Sequence, residues 1–119
     1  MRPDGLITVP DVHTNCKMGM IAKFAIDKRL SSLSPRKQYV EAGGLMSYDT
    51  NRSKMWRRAA VFVDKILKGA DPGSLPIEPP PKFELIINLK MAEKIGVTIP
   101  SEILLEAMKS LRMRRDKPV

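Results

Sequence analysis

"VEAGGLMSYDTNRSKMWRRAAVFVDKILKG", residues 40–69, is the stretch on which the fold turns. Its glycine pair, Gly43 and Gly44, permits backbone angles closed to other residues. The apolar step "LMSY" then reads as a brief strand, and Asp49, Thr50 and Asn51 behind it are all good helix caps. Beyond them Trp56, Ala59, Ala60, Val63, Ile66 and Leu67 recur at three- and four-residue steps, while Arg57, Arg58, Asp64, Lys65 and Lys68 lie off that stripe. Gly69 stops the helix. The stripe is expected to face a core, with Trp56 as its anchor or else as a ligand-stacking residue. The turn keeps two readings on physics alone. It is a capped link from strand to helix, or it is a site wall where glycine amides, the Ser47 and Tyr48 hydroxyls and a helix N-terminus converge.

Outward from this unit, strands and helices alternate. "DGLITVP" (4–10) reads as a short strand. A helix follows, capped by Thr14 or Asn15, with Met18, Ile21, Ala22, Ala25 and Ile26 on one face and Lys28 and Arg29 at its C-terminal end. Leu30 to Leu33 predicts a weak second strand, and Pro35 opens a turn or short helix through Tyr39. On the other side, "DPGSLPIEPPPK" (71–82) holds five of the ten prolines and must be an extended connection. "FELIINL" (83–89) reads as a strand with Phe83, Leu85 and Ile87 alternating against Glu84, Ile86 and Asn88. "KMAEKIG" gives a short helix stopped by Gly96, and the last helix begins at Ser101 or with Pro100 in its first turn. The chain divides on this basis into an α/β portion at 1–70, a connection at 71–82, and a terminal strand and helices at 83–119.

Such an order implies an open α/β sheet with mainly parallel strands and flanking helices. Ligands of such sheets sit beyond the carboxyl ends of the strands. Those ends are Pro10–Asp11, Ser34–Pro35, Ser47–Tyr48 and Asn88–Lys90. Asp11, Gly43, Gly44, Ser47 and Tyr48 are therefore the candidate ligand-binding residues.

Composition narrows the chemistry. The chain has 119 residues, with 43% hydrophobic and 5% aromatic, so one aliphatic core is expected. Cys16 and His13 are the lone cysteine and histidine, which excludes an intrachain disulfide and a Cys/His metal cluster. They stand three apart, but no third group supports a nucleophile pair. No Gly-rich phosphate loop is present, since "AGGL" opens into a strand. An enzyme is not expected, and no cofactor. The net charge is +8, and "KSLRMRRDKPV" (109–119) carries half of it. That tail lacks the interleaved aromatics that stack bases, so nucleic acid is not the expected partner. No apolar run approaches the ~20 residues needed to span a membrane. The opening residues do not read as a secretory signal, their apolar run being broken by Pro10 and Asp11. A chain complete as written would therefore remain cytoplasmic.

The segments "RPDGLITVPD", "YVEAGGLMSY", "RRAAVFVDKILKGADPGSLPIEPPPKFELIINLKMAEKIGVTIP" together resemble the C-terminal part of ABC-transporter substrate-binding proteins of the type I periplasmic-binding-protein-like branch. The similarity runs from about Arg2 to about Ala107. It implies a partial periplasmic-binding-protein-like fold, a small solute (an amino acid among the candidates) held in an interlobe cleft, delivery to an ABC permease and a periplasmic or extracytoplasmic location. Asp11 and the stretch from Gly43 to Tyr48 would line or flank the cleft. The chain departs from the family pattern at "RLSSLS" (29–34), where "RLP" and an apolar strand are usual, and at Asp49, where glycine is usual. It begins where relatives have already completed a first lobe, so a C-terminal fragment is the expected state. A free-standing basic α/β module that binds nucleic acid or an acidic partner, and a gene remnant without function, are the alternatives.

Overall fold

The computed structural model describes residues 3–115, with side chains placed through Met108, so the side chains of the cationic cluster at 109–119 lie outside the described residues. The elements are β1 (Gly5–Ile7), α1 (Val12–Cys16), α2 (Met18–Asp27), β2 (Ser31–Ser34), α3 (Lys37–Glu41), β3 (Met46–Thr50), α4 (Arg52–Leu67), a 3-10 turn (Pro72–Ser74), β4 (Phe83–Ile87), α5 (Leu89–Ile95) and α6 (Ser101–Arg115). The four strands form one sheet in the order β1-β2-β3-β4. β1 pairs parallel with β2 through Gly5↔Ser31, Leu6↔Ser32 and Ile7↔Leu33, and β2 pairs parallel with β3 through Leu33↔Met46 and Ser34↔Ser47.

β4 departs from this pattern. The Asn88 amide donates to the Leu45 carbonyl at 2.8 Å, which sets the end of β4 beside the start of β3. The two strands are therefore antiparallel, and the sheet is mixed. Asn88–Lys90, grouped above with the other strand ends, lies at the opposite edge of the sheet from them. The alternation expected in β4 is also inverted: Glu84 is 7% exposed and Phe83 is 46% exposed. Apolar residues on both faces of this strand, with Leu85, Ile86 and Ile87 all half-buried, left no clean period to read.

Two compact units emerge. Unit 1 is the chain to Asp49 and again from Glu84, and unit 2 is Thr50–Phe83. The division places α4 with the proline-rich connection rather than with the preceding α/β portion. The core belongs to unit 1. Ala22 and Ala25 bury the inner face of α2, and Leu45 packs with Ala92 and Ile95, around which Ile26, Met46, Met91, Val97 and Ile99 gather. The stripe expected at 18, 21, 22, 25 and 26 is thus the packed one.

Helix ends in unit 1 share one closure. α3 ends with Gly43 at φ 101°, the Gly44 amide donating back to the Tyr39 carbonyl at 2.8 Å. α5 ends with Gly96 at φ 78° and Val97 donating to Ala92 at 3.0 Å. α2 ends the same way with Leu30 donating to Ala25, but Arg29 holds the left-handed position at φ 52°.

Unit 2 is one helix and an extended connection. Asn51 caps α4, its side-chain oxygen accepting from the Lys54 amide at 3.1 Å. Asp49 and Thr50, expected as further caps, are the end of β3 instead. No residue of α4 is buried, and Trp56 is 75% exposed, so the expected core anchor is on the surface. The physical reason is that an isolated helix with an extended segment offers no second layer to cover an apolar stripe. Arg58 grips both carboxylate oxygens of Glu78, tying α4 to the connection, and lies 5.3 Å from the Phe62 ring centroid. This fork-to-fork pairing depresses the Glu78 carboxyl below its ordinary value, the Arg58 hydrogen bond being the main cause.

Two outcomes follow from this packing. A Cβ built on Gly44 would lie 2.1 Å from Cε1 of Tyr39. Gly44→Ala should therefore lower stability by about 1–3 kcal/mol in urea unfolding, unless the ring swings aside at similar cost. Glu78→Gln removes the charge that Arg58 grips, so amide hydrogen exchange should rise across 72–82 while that of α2 and α5 stays unchanged.

Candidate functional site

The parallel strands β1, β2 and β3 deliver three segments to one edge of unit 1. β1 runs on through Thr8, whose amide donates to the Leu33 carbonyl at 3.0 Å, into Val9–Asp11. Asp11 caps α1 with its backbone committed: its amide donates to Thr14 Oγ1 at 3.1 Å, and that hydroxyl donates to the Val9 carbonyl at 2.8 Å. The turn is thereby fixed from within, and Asp11 is exposed at the edge. β2 ends at Ser34, and Pro35 and Arg36 follow, the Arg36 amide donating to Ser34 Oγ at 3.4 Å. Arg36 Nε is buried and finds no partner among the described residues. β3 brings Tyr48, 49% exposed, to the same edge. β1 and β3, which lead to the Asp11 and Tyr48 segments, stand about 10 Å apart, two strand spacings.

The expected set is only partly united. Asp11 and Tyr48 share the carboxyl edge. Ser47 does not share the Tyr48 surface: side chains alternate along a strand, and Ser47 is 2% exposed, in register with buried Ser34. Ser32, Ser34 and Ser47 form a buried hydroxyl-bearing row on one face of the sheet. Gly43 and Gly44 precede β3 and so lie at the opposite edge from Asp11, about four residues of strand away from Tyr48, or roughly 13 Å. Their duties are local, one closing α3 and the other admitting the Tyr39 ring. The glycine pair is thus a turn, and Tyr48 beyond it is the edge residue.

Arg36 is the residue that sequence reasoning passed over. The signal was available: it stands two residues beyond Ser34, the last residue of β2, at the carboxyl edge of the parallel strands. His13 and Cys16 lie exposed on α1, and among the described residues no group of His, Cys, Asp or Glu is arranged to hold a metal. The edge therefore presents one carboxylate, one guanidinium and one phenol. These are recognition groups that pair with opposite charge and stack on flat apolar surfaces.

A family model described as ABC transporter substrate binding protein matches residues 3–111. The chain belongs to this family. No match was found among curated proteins. Among solved structures, a conserved domain protein from Vibrio cholerae aligns with TM-score 0.77 and 27% identity over 87% of this chain and 35% of that one. An ABC domain from Streptococcus pneumonia, in complex with L-Trp, aligns with TM-score 0.75 and 24% identity over 87% of this chain and 35% of that one. A ligand-free, open substrate-binding protein with adhesive properties from Clostridium difficile aligns with TM-score 0.60 and 21% identity over 81% of this chain and 33% of that one. The fold is periplasmic-binding-protein-like, and the chain spans about a third of the length of the solved structures it matches. No helix among the described residues is long and apolar enough to cross a membrane.

Tyr39 anchors the buried row beneath the edge. Burial pushes its phenol above the ordinary value of 10.0, and the Ser32 hydroxyl pulls partly the other way. Tyr39 Oη is buried and has no hydrogen-bond partner among the described residues. A raised folded value means that the stabilisation is complete below pH 10 and is lost as pH rises through the folded value. Equilibrium unfolding of the wild-type chain should therefore weaken on the alkaline side, and Tyr39→Phe should flatten that limb while leaving neutral-pH stability within about 1.5 kcal/mol.

Proposed function

We propose that this chain supplies one wall of a small-solute site in an ABC transport system, with Asp11, Arg36 and Tyr48 as its ligand-facing groups and Ser47 beneath them. The observation that carries this reading is the family match over residues 3–111, which covers all three edge segments. The solute best suited to the edge is an amino acid. Its carboxylate would pair with the Arg36 guanidinium, its ammonium with the Asp11 carboxylate, and an apolar side chain would lie on the Tyr48 ring. The L-Trp held by the Streptococcus structure supports a zwitterionic solute of this kind. In this reading the chain is not an enzyme and needs no cofactor. It works outside the cytoplasm and hands its solute to a permease, and closure of a second lobe over the edge is the working motion. Asp11 and Tyr48 gain their role from strand direction, whereas Gly43 and Gly44 serve the wall by shaping the turn.

The test joins the full 119-residue chain behind the part of the Vibrio cholerae protein that it does not cover, and titrates the hybrid with the common amino acids by calorimetry. At least one should bind, and Arg36→Ala and Asp11→Asn should each weaken it by tenfold or more, while Gly43→Ala should change stability and leave affinity nearly intact. A folded hybrid that binds no amino acid would remove the ground for this reading.

A further inference from the structure

The stretch "HTNCKMGM", residues 13–20, gathers four sulfur or imidazole donors within eight positions: His13, Cys16, Met18 and Met20. The chain has no other cysteine or histidine, and these two fall three residues apart on α1. At that spacing two side chains leave a helix on the same side, with Cβ atoms about 5–6 Å apart.

Burial shows which methionine joins them. Thr14, Asn15 and Met18 are half-buried and Ala22 and Ala25 are buried, whereas His13, Cys16, Lys17 and Met20 are exposed. The inward stripe thus steps by three or four from α1 into α2 and keeps its phase across the junction. Lys17 leaves helical angles there, at φ −114° and ψ 20°. Its amide still donates to the Thr14 carbonyl at 3.3 Å, and its carbonyl accepts from the Ile21 amide at 3.0 Å. The outward face is continuous for the same reason, and Met20 stands on it four residues beyond Cys16. Met18 belongs to the inward stripe and is not part of the set. Met20 is 70% exposed, and its unbranched thioether has the rotatable bonds to reach across the bend.

Donor chemistry selects the metal. Among the described residues no three of His, Cys, Asp and Glu come together, so a hard or borderline cation such as Ca²⁺ or Zn²⁺ finds no full set. Thiolate and thioether sulfur are soft ligands that favour Cu(I), and imidazole suits copper as well. Cys16 is exposed and has no second thiol in the chain to close a disulfide with.

We propose that His13, Cys16 and Met20 form a surface site for a soft monovalent cation, Cu(I) above all, with imidazole, thiolate and thioether as its three donors. Binding exchanges the Cys16 thiol proton for the metal, so affinity rises with pH. The site goes beyond the solute reading, since none of its donors is among Asp11, Arg36 and Tyr48.

The probe is Cu(I), supplied to the full chain without oxygen as its acetonitrile complex and titrated against a chromogenic chelator, with redox-inert Ag(I) as a second probe. One ion should bind per chain. Cys16→Ser should weaken binding by about a hundredfold or more and Met20→Leu and His13→Gln by roughly tenfold each, while Met18→Leu leaves it unchanged. Ag(I) should move the methyl carbon resonance of Met20 and leave that of Met18 in place. Circular dichroism should be the same for all four variants, the three donors being exposed and the Met18 exchange conserving volume. Met20→Leu and His13→Gln variants that bind as tightly as the wild type would overturn the proposal, because Cys16 would then act alone. So would one ion shared between two chains, or Zn²⁺ held more tightly than Cu(I).

Discussion

The contact between the Tyr39 ring and the bare backbone of Gly44 governs unit 1. Gly43 adopts a positive φ, returning the chain at the end of α3, and Gly44 has no room for a methyl group beneath the ring. Together they deliver the chain into β3 at a single register, Ser34 opposite Ser47. A shift of one residue would turn Ser47 outward and Tyr48 inward, exchanging a buried hydroxyl for the ring at the edge. The residues that look most like a ligand loop are thus those that set the register of β3.

The edge beyond the parallel strands acquires its character from direction alone. β1, β2 and β3 all point there, Asp11 and Arg36 following the ends of β1 and β2 and Tyr48 standing on β3. β4 runs the other way and gives its carboxyl end, with the Asn88 cap of α5, to the opposite side. A buried row of Ser32, Ser34 and Ser47 lies under that edge in place of aliphatic side chains. Hydroxyls at these positions carry a desolvation cost that Val or Ile would not.

Much of this was legible before any coordinates. Helix α2, the strand-cap-helix unit at 46–67 and the Gly96 stop all follow from period and punctuation, because each depends on near neighbours. The failures have a common origin in distant ones. Trp56 sits on a faultless amphipathic stripe, yet the layer that the stripe requires is not among these elements. Glu84 reads as the outward residue of an alternating strand, but β4 is apolar on both sides and its burial is decided by its neighbours in the sheet. That the glycine pair stands before β3 is readable from chain order, but its duties, closing α3 and admitting the Tyr39 ring, depend on packing that the sequence does not display. Arg36 went unnoticed because its place at the edge depends on where β2 stops.

Unit 1 is assembled from two lengths of chain separated by the whole of unit 2. Leu45, from the first length, finds its core partners Ala92 and Ile95 only in the second. Chain closure over such a span costs a few kcal/mol of entropy before any apolar contact offsets it, and contacts this distant slow folding. During synthesis, β1, β2 and β3 leave the ribosome with one side of Leu45 unpacked, and they remain so until α5 follows. The order of translation thus makes the last third of the chain the element that commits the first third to its native form.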